Sequence, residues 1–196
     1  MSALAKPKTG LINEVFHAAL LRDVDAVVRS ANIPPEMLYR SMVGLCSEAE
    51  IDYVKELRRQ ASRGIYGLVL HGPKPSSSPL ERFSALAAAC LRNYIAARVM
   101  TLQDVLEALS EGDMPSPTVL CIPNFLSGLK DGGKVASWDV PELLGLLYSR
   151  QSAGLQTVVY VQELDLLGKA YGAGCDQHLR SEHFVKADAT KSVKND

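Results

Sequence analysis

This chain has little charge of one sign, few cysteines and no long apolar run, and each shortage removes a class of protein. Lys and Arg number 21 against 22 Asp and Glu, a formal net charge of -1. No overall field draws such a chain to nucleic acid or to a membrane surface. The four cysteines, Cys46, Cys90, Cys121 and Cys175, are widely spaced and form no C-x-x-C pair. Neither a disulfide framework nor a zinc site is expected, and in apolar runs Cys90 and Cys121 read as buried free thiols. His17, His71, His178 and His183 lack ligand spacing, so no metal is expected. Ser76-Ser77-Ser78 has no G-x-S-x-G elbow around it, and no carboxylate pair stands out as an acid–base couple. No secretory signal or spanning apolar run is visible, and the expectation is a soluble protein of the reducing cytoplasm.

What is present suits one domain. The chain has 196 residues, 47% of them hydrophobic, which is enough for a core of ordinary size. Apolar positions from Leu11 to Val28 fall at helical spacing until Ile33-Pro34-Pro35 breaks them. Pro35 to Tyr39 suits a short helix. A longer one is expected after Ser47, with Glu48 and Glu50 at its start, Lys55, Arg58, Arg59 and Arg63 toward its end, and Gly64 stopping it. From there strands are expected at Gly67–His71, Arg98–Thr101, Thr118–Ile122, Thr157–Val161 and His183–Ala187. Helices are expected at Leu80–Ala97, Leu102–Leu109, Val140–Ser152 and Glu163–Ala170. Five short strands alternating with helices predict a parallel sheet covered on both faces. Leu126 to Trp138 reads as a loop, with Trp138 as a staple before the next helix. The chain divides into a helical lead (1–63), an α/β body (64–189) and a polar tail (190–196).

The stretch Gly72-Pro73-Lys74-Pro75-Ser76-Ser77-Ser78-Pro79 lies between the first strand and its helix, where a phosphate-binding loop belongs. The working pattern is G-x-x-x-x-G-K-[ST]. Aligned on Gly72, Ser77 stands at the second glycine, Ser78 at the lysine and Pro79 at the hydroxyl residue. Such a loop holds phosphate with backbone N–H groups, a helix N-terminus and an ammonium group. Here Pro73, Pro75 and Pro79 remove three N–H donors, and Lys74 comes four residues early. Ser78-Pro79-Leu80-Glu81 also reads as a capping box with proline at the first helical position. That would place the Glu81 carboxylate near where a phosphate would lie. Three readings stay open: a vacated nucleotide site, an ordinary strand-to-helix turn, and a serine-rich anion site.

From Ala49 to Gly72, ending Tyr66-Gly67-Leu68-Val69-Leu70-His71-Gly72-Pro73, the sequence resembles the bacterial helicase-loader ATPases of the DnaC type and the related transposition helper ATPases. Arg98 to Leu109, Thr118 to Phe125 and Pro141 to Val159 extend the likeness over about residues 45 to 188. The resemblance implies an AAA+-type P-loop fold with sheet order 5-1-4-3-2. It puts Pro123 and Asn124 in place of the two Walker B acids, which would hold Mg²⁺ and polarise water. It puts the arginine-finger region at Gln177 and Arg180, and a sensor residue near Gln162.

Losing lysine, hydroxyl and both acids together predicts no catalytic residue, no cofactor and negligible ATP hydrolysis, since each such element supplies orders of magnitude in rate. The expected function is a pseudo-ATPase of DNA replication or mobile-element transposition, docking on a helicase or an active ATPase through its lead. One alternative is a divergent loader that binds ATP and Mg²⁺ with Lys74. Another is a small anion- or ligand-binding protein using the serine loop. The basic run Lys55, Arg58, Arg59 and Arg63 offers a nucleic-acid patch, but a solvated helix face is the favoured reading. No membrane partner is expected.

Overall fold

The computed structural model describes residues 10–126 and 136–194. A helical lead comes first: α1 (Ala18–Arg22), α2 (Val24–Ala31), a 3-10 turn at Pro35–Tyr39, α3 (Glu48–Lys55), α4 (Leu57–Gln60) and a 3-10 turn at Ala61–Arg63. Then strands and helices alternate: β1 (Gly67–His71), α5 (Pro79–Arg92), β2 (Ala97–Val99), α6 (Leu102–Ser110), β3 (Val119–Leu126), α7 (Val140–Ser152), β4 (Gln156–Val161), α8 (Leu167–Arg180) and β5 (Phe184–Asp188). The five strands form one sheet in the order β2-β3-β4-β1-β5, and every neighbouring pair is parallel. This is the order 5-1-4-3-2 read from its other edge.

Side chains of a strand alternate between faces, and β1 divides the core accordingly. Leu68 and Leu70 join the lead and α5 on one face. Val69 joins the cluster with Leu143, Leu147, Leu167 and Tyr171 on the other. Fully burying one such aliphatic side chain contributes about 1.5–3 kcal/mol. The lead is therefore a layer of the core: Leu20, Val28, Leu38, Leu45 and Tyr53 are buried with Phe83 and Leu86. Gly67 makes the closest approach in the sheet, because a Cβ there would lie 2.1 Å from the Thr157 carbonyl oxygen and 2.4 Å from Phe184.

Several elements differ from the sequence reading. The first helical run breaks at Asp23, whose side chain caps α2 by accepting the Ala26 N–H at 3.2 Å. The helix after Ser47 also breaks, at Glu56, between α3 and α4. α5 stops at Arg92 rather than Ala97, because Tyr94 turns left-handed at φ 56° and Ile95 N–H closes back on the Cys90 carbonyl at 2.9 Å. β2 ends at Val99, and Thr101 leaves the strand to cap α6 by taking the Asp104 N–H at 3.1 Å.

β3 runs on to Leu126 through Pro123. Proline lacks the N–H a ladder needs, but β2 already ends opposite Cys121 and the register with β4 shifts between Ile122 and Leu126. Residues 127–135 of the expected loop lie outside the described residues. Trp138 is 76% exposed and is no staple: α7 turns Leu143, Leu146 and Leu147 inward, and Trp138 stands outside that face. The helix expected at Glu163–Ala170 is a 3-10 turn at Leu164–Leu166 followed by α8, interrupted at Gly172 with φ 78°. Residues 190–194 are no free tail, for Val193 pairs with the lead.

Candidate phosphate-loop site

The loop between β1 and α5 opens at the C-terminal end of β1, the rim where open parallel sheets bind ligands. Gly72 starts it with φ 141°, a backbone state that favours glycine. A Cβ at Gly72 would stand 3.4 Å from the Ala189 Cβ. The Gly72 carbonyl accepts from the Tyr160 hydroxyl at 2.8 Å. Pro73 and Lys74 are exposed, Ser77 is half-buried and Ser78 is exposed.

Ser76 is the most constrained residue of the loop. Its N–H donates to the Ala189 carbonyl at 2.8 Å, and its hydroxyl donates to the Lys191 carbonyl at 3.2 Å. The hydroxyl also accepts from Arg82 Nη1 at 3.0 Å. The loop's central donor is thus turned onto the chain that follows β5.

The capping box expected at Ser78 and Glu81 does not form: the Ser78 side chain makes no cap hydrogen bond. Glu81 points away to Arg40, 2.5 Å distant. The Ser78 carbonyl begins the helix instead, accepting the Arg82 N–H at 3.0 Å.

Arg82 reaches the loop from α5 through Ser76, and the sequence reading passed over it. It is fully buried and ion-paired with the fully buried Glu50 of α3. Its Nη1 also donates to the Ala189 carbonyl at 2.7 Å. Glu50 in turn accepts from the Ser47 N–H and hydroxyl, each at 2.7 Å. A carboxylate expected to do no more than suit a helix dipole is half of a buried ion pair. The signal for Arg82 was α5 itself, apolar from Phe83 to Leu91 apart from Ser84: an arginine at the head of such a run is buried, and a buried arginine needs a partner. Nearby Cys46 donates its thiol to the Arg82 carbonyl. Burial, and then the Glu50 carboxylate, push that thiol well above its ordinary value, so it stays protonated and unreactive.

The other positions fall on separate elements. Pro123 is buried in β3, while Asn124 points out of it and its Oδ1 accepts the Leu102 N–H at 2.8 Å. Asn124 therefore satisfies an orphan donor at the start of α6. Gln162 passes its N–H to the Leu126 carbonyl at 2.7 Å. Gln177 and Arg180 lie in the last turn of α8. Arg180 pairs with Asp176 at 2.6 Å and Asp165 at 3.0 Å.

In the basic run, Lys55 pairs with Asp52 at 2.9 Å, and Arg59 and Arg63 pair with Glu56 at 3.6 and 3.2 Å. Arg58 donates to the Asn93 carbonyl at 2.8 Å. This is a face laced with its own salt bridges. All four cysteines are free and buried, and burial pushes the Cys90 thiol up to about 12. No group of three His, Cys, Asp or Glu positioned to hold a metal ion occurs among the described residues. Among them no helix is long and apolar enough to cross a membrane.

The strand order, the parallel sheet and the loop between β1 and α5 define an α/β fold of the P-loop NTPase type. Among the solved structures that share it are the following two. The replication initiator DnaA bound to AMPPCP and single-stranded DNA has a TM-score of 0.57 at 13% identity, over 79% of this chain and 50% of that one. DnaI has a TM-score of 0.57 at 15% identity, over 81% of this chain and 95% of that one. This chain thus spans about half the length of the initiator chain. At such identities the likeness shows the fold alone. No family model matches the sequence, and no curated protein matches it.

Proposed function

We propose that this chain is a pseudo-ATPase of AAA+-type fold. It neither holds nor hydrolyses nucleotide, and it acts through protein contacts in DNA replication or mobile-element transposition. One observation carries the reading: the Ser76 N–H, which a phosphate loop would aim at an anion, is taken by the Ala189 carbonyl at 2.8 Å. Arg82, beneath it, spends its charge on Glu50. Pro73, Pro75 and Pro79 contribute no N–H, and Asn124, where a Walker B acid is expected, serves as an α6 cap. An anion entering this loop meets few donors and no ready cation apart from Lys74.

The setting rests on the resemblance to helicase loaders and on the fold shared with a replication initiator. The partner is a helicase or an active ATPase. Val15 and Phe16 of the lead, 88% and 60% exposed, offer apolar surface for such docking. A second reading keeps one observation in its favour: Lys74 is exposed on the loop, and only with a different loop path would it reach a phosphate. A divergent, nucleotide-binding loader would use it.

Titration of the protein with a fluorescent ATP analogue, with and without Mg²⁺, separates the two. No saturation up to millimolar nucleotide is expected. Micromolar, Mg²⁺-dependent binding that disappears in Lys74→Ala would replace the pseudo-ATPase with the loader.

A further inference from the structure

The residues that follow β5 are fastened at two places. Ala189 donates its N–H to the His71 carbonyl at 2.7 Å and offers its own carbonyl to Ser76 and Arg82. Lys191 accepts the Ser76 hydroxyl. Val193 then donates to the Cys46 carbonyl at 2.9 Å and accepts the Gly44 N–H at 2.9 Å. Five consecutive residues therefore tie the loop to the lead. A second, buried route joins the same two places. Arg82 reaches Ser76 on the loop side, and its partner Glu50 holds Ser47 on the lead side. Loop, strap, lead and ion pair close a ring.

We propose that Ala189–Val193 is a strap that holds the loop shut, and that the loop and Gly44–Ser47 of the lead open and close together. The proposal rests on reading Gly72–Ser78 as a vacated phosphate position and gives that position its regulation. A protein partner that engages the exposed Val43 and Gly44 of the lead loosens Val193 and frees the Ser76 N–H. The two routes share Ser76 at the loop end and Gly44–Ser47 at the lead end, so loosening either end weakens both ties to the other. Coupling of this kind is reciprocal and is carried by a contiguous hydrogen-bonded network.

Amide hydrogen exchange, read residue by residue on the full-length protein without nucleotide, tests it. Val193→Pro removes the donor to Cys46 at the lead end. The Ser76 amide is then expected to exchange about tenfold faster. Ser76→Ala removes the hydroxyl contacts at the loop end, and the Gly44 amide is expected to accelerate by a similar factor. The second variant changes an exposed side chain, so the test survives if the proline substitution unfolds the protein. Acceleration confined to the altered end in Ser76→Ala, or in a folded Val193→Pro, overturns the strap. The pseudo-ATPase reading fails on different data, the nucleotide titration of the unaltered protein.

Discussion

Two of the three arginines buried among the described residues lie at opposite rims of the sheet, and they are satisfied in different ways. Arg82 lies under the loop at the C-terminal end of β1 and meets a full negative charge on Glu50. Arg150 lies at the other rim, where β3 and β4 begin, and meets neutral oxygens. It donates to the carbonyls of Pro115 at 2.7 Å, Pro117 at 3.0 Å and Gln156 at 2.7 Å, and to the Thr157 hydroxyl at 3.0 Å. Burial lowers the Arg150 guanidinium to about 10.

The difference follows from what each rim has to satisfy. At the Arg150 rim the acceptors are backbone carbonyls of the loop before β3 and of the first residue of β4, so one five-donor fork collects several of them. At the loop rim the guanidinium has fewer carbonyls within reach, and a carboxylate completes its shell. A rim whose cation is already neutralised is a poor place for a phosphate. The Arg82 charge is spent within the fold.

The largest effect is expected where the charges are paired. Glu50→Ala leaves Arg82 buried without its counter-ion and should cost about 3–5 kcal/mol in urea unfolding. Replacing both partners together, Arg82→Met with Glu50→Leu, should cost less than the single change, since no isolated charge remains. A double replacement as costly as Glu50→Ala would mean that Arg82 matters for its carbonyl contacts, and the two rims would be alike.

Next comes Arg150→Met, which strands buried carbonyls but no charge. At about 1–3 kcal/mol for each unmet acceptor, offset where water enters, a loss of about 3 kcal/mol is expected by the same measurement. The smallest effect belongs to the exposed pair of Glu81 and Arg40, both well solvated. Glu81→Ala should shift stability by less than about 1 kcal/mol. A larger loss would show that Glu81 supports the start of α5 after all.

Much of the α/β body was legible, because hydrophobic pattern and turn residues act locally. The expected and observed ends of β1 and α7 coincide, one a short aliphatic run between glycines and the other a helix opened by Pro141 and closed near Gly154. α8 was misplaced because Gly168, Gly172 and Gly174 weaken its helical signal. Its helix is held by Leu167, Tyr171, Cys175 and Leu179 against the sheet, and packing of that kind overrides propensity. The site was legible only in its composition. The sequence placed Pro73, Lys74 and the serines on the loop, but it mistook Glu81 for a cap and overlooked Arg82.

The sequence by itself determined the alternation of strands and helices, the two-faced burial of the sheet, and the run of prolines and serines between β1 and α5. Those properties depend on residue type and on spacing of a few positions. The tertiary structure alone decided the partners of the loop. Ser76 meets Ala189, 113 residues later, and Arg82 meets Glu50, 32 residues earlier. No local pattern encodes such pairs, because they exist only once β5 has docked beside β1 and the lead has covered α5.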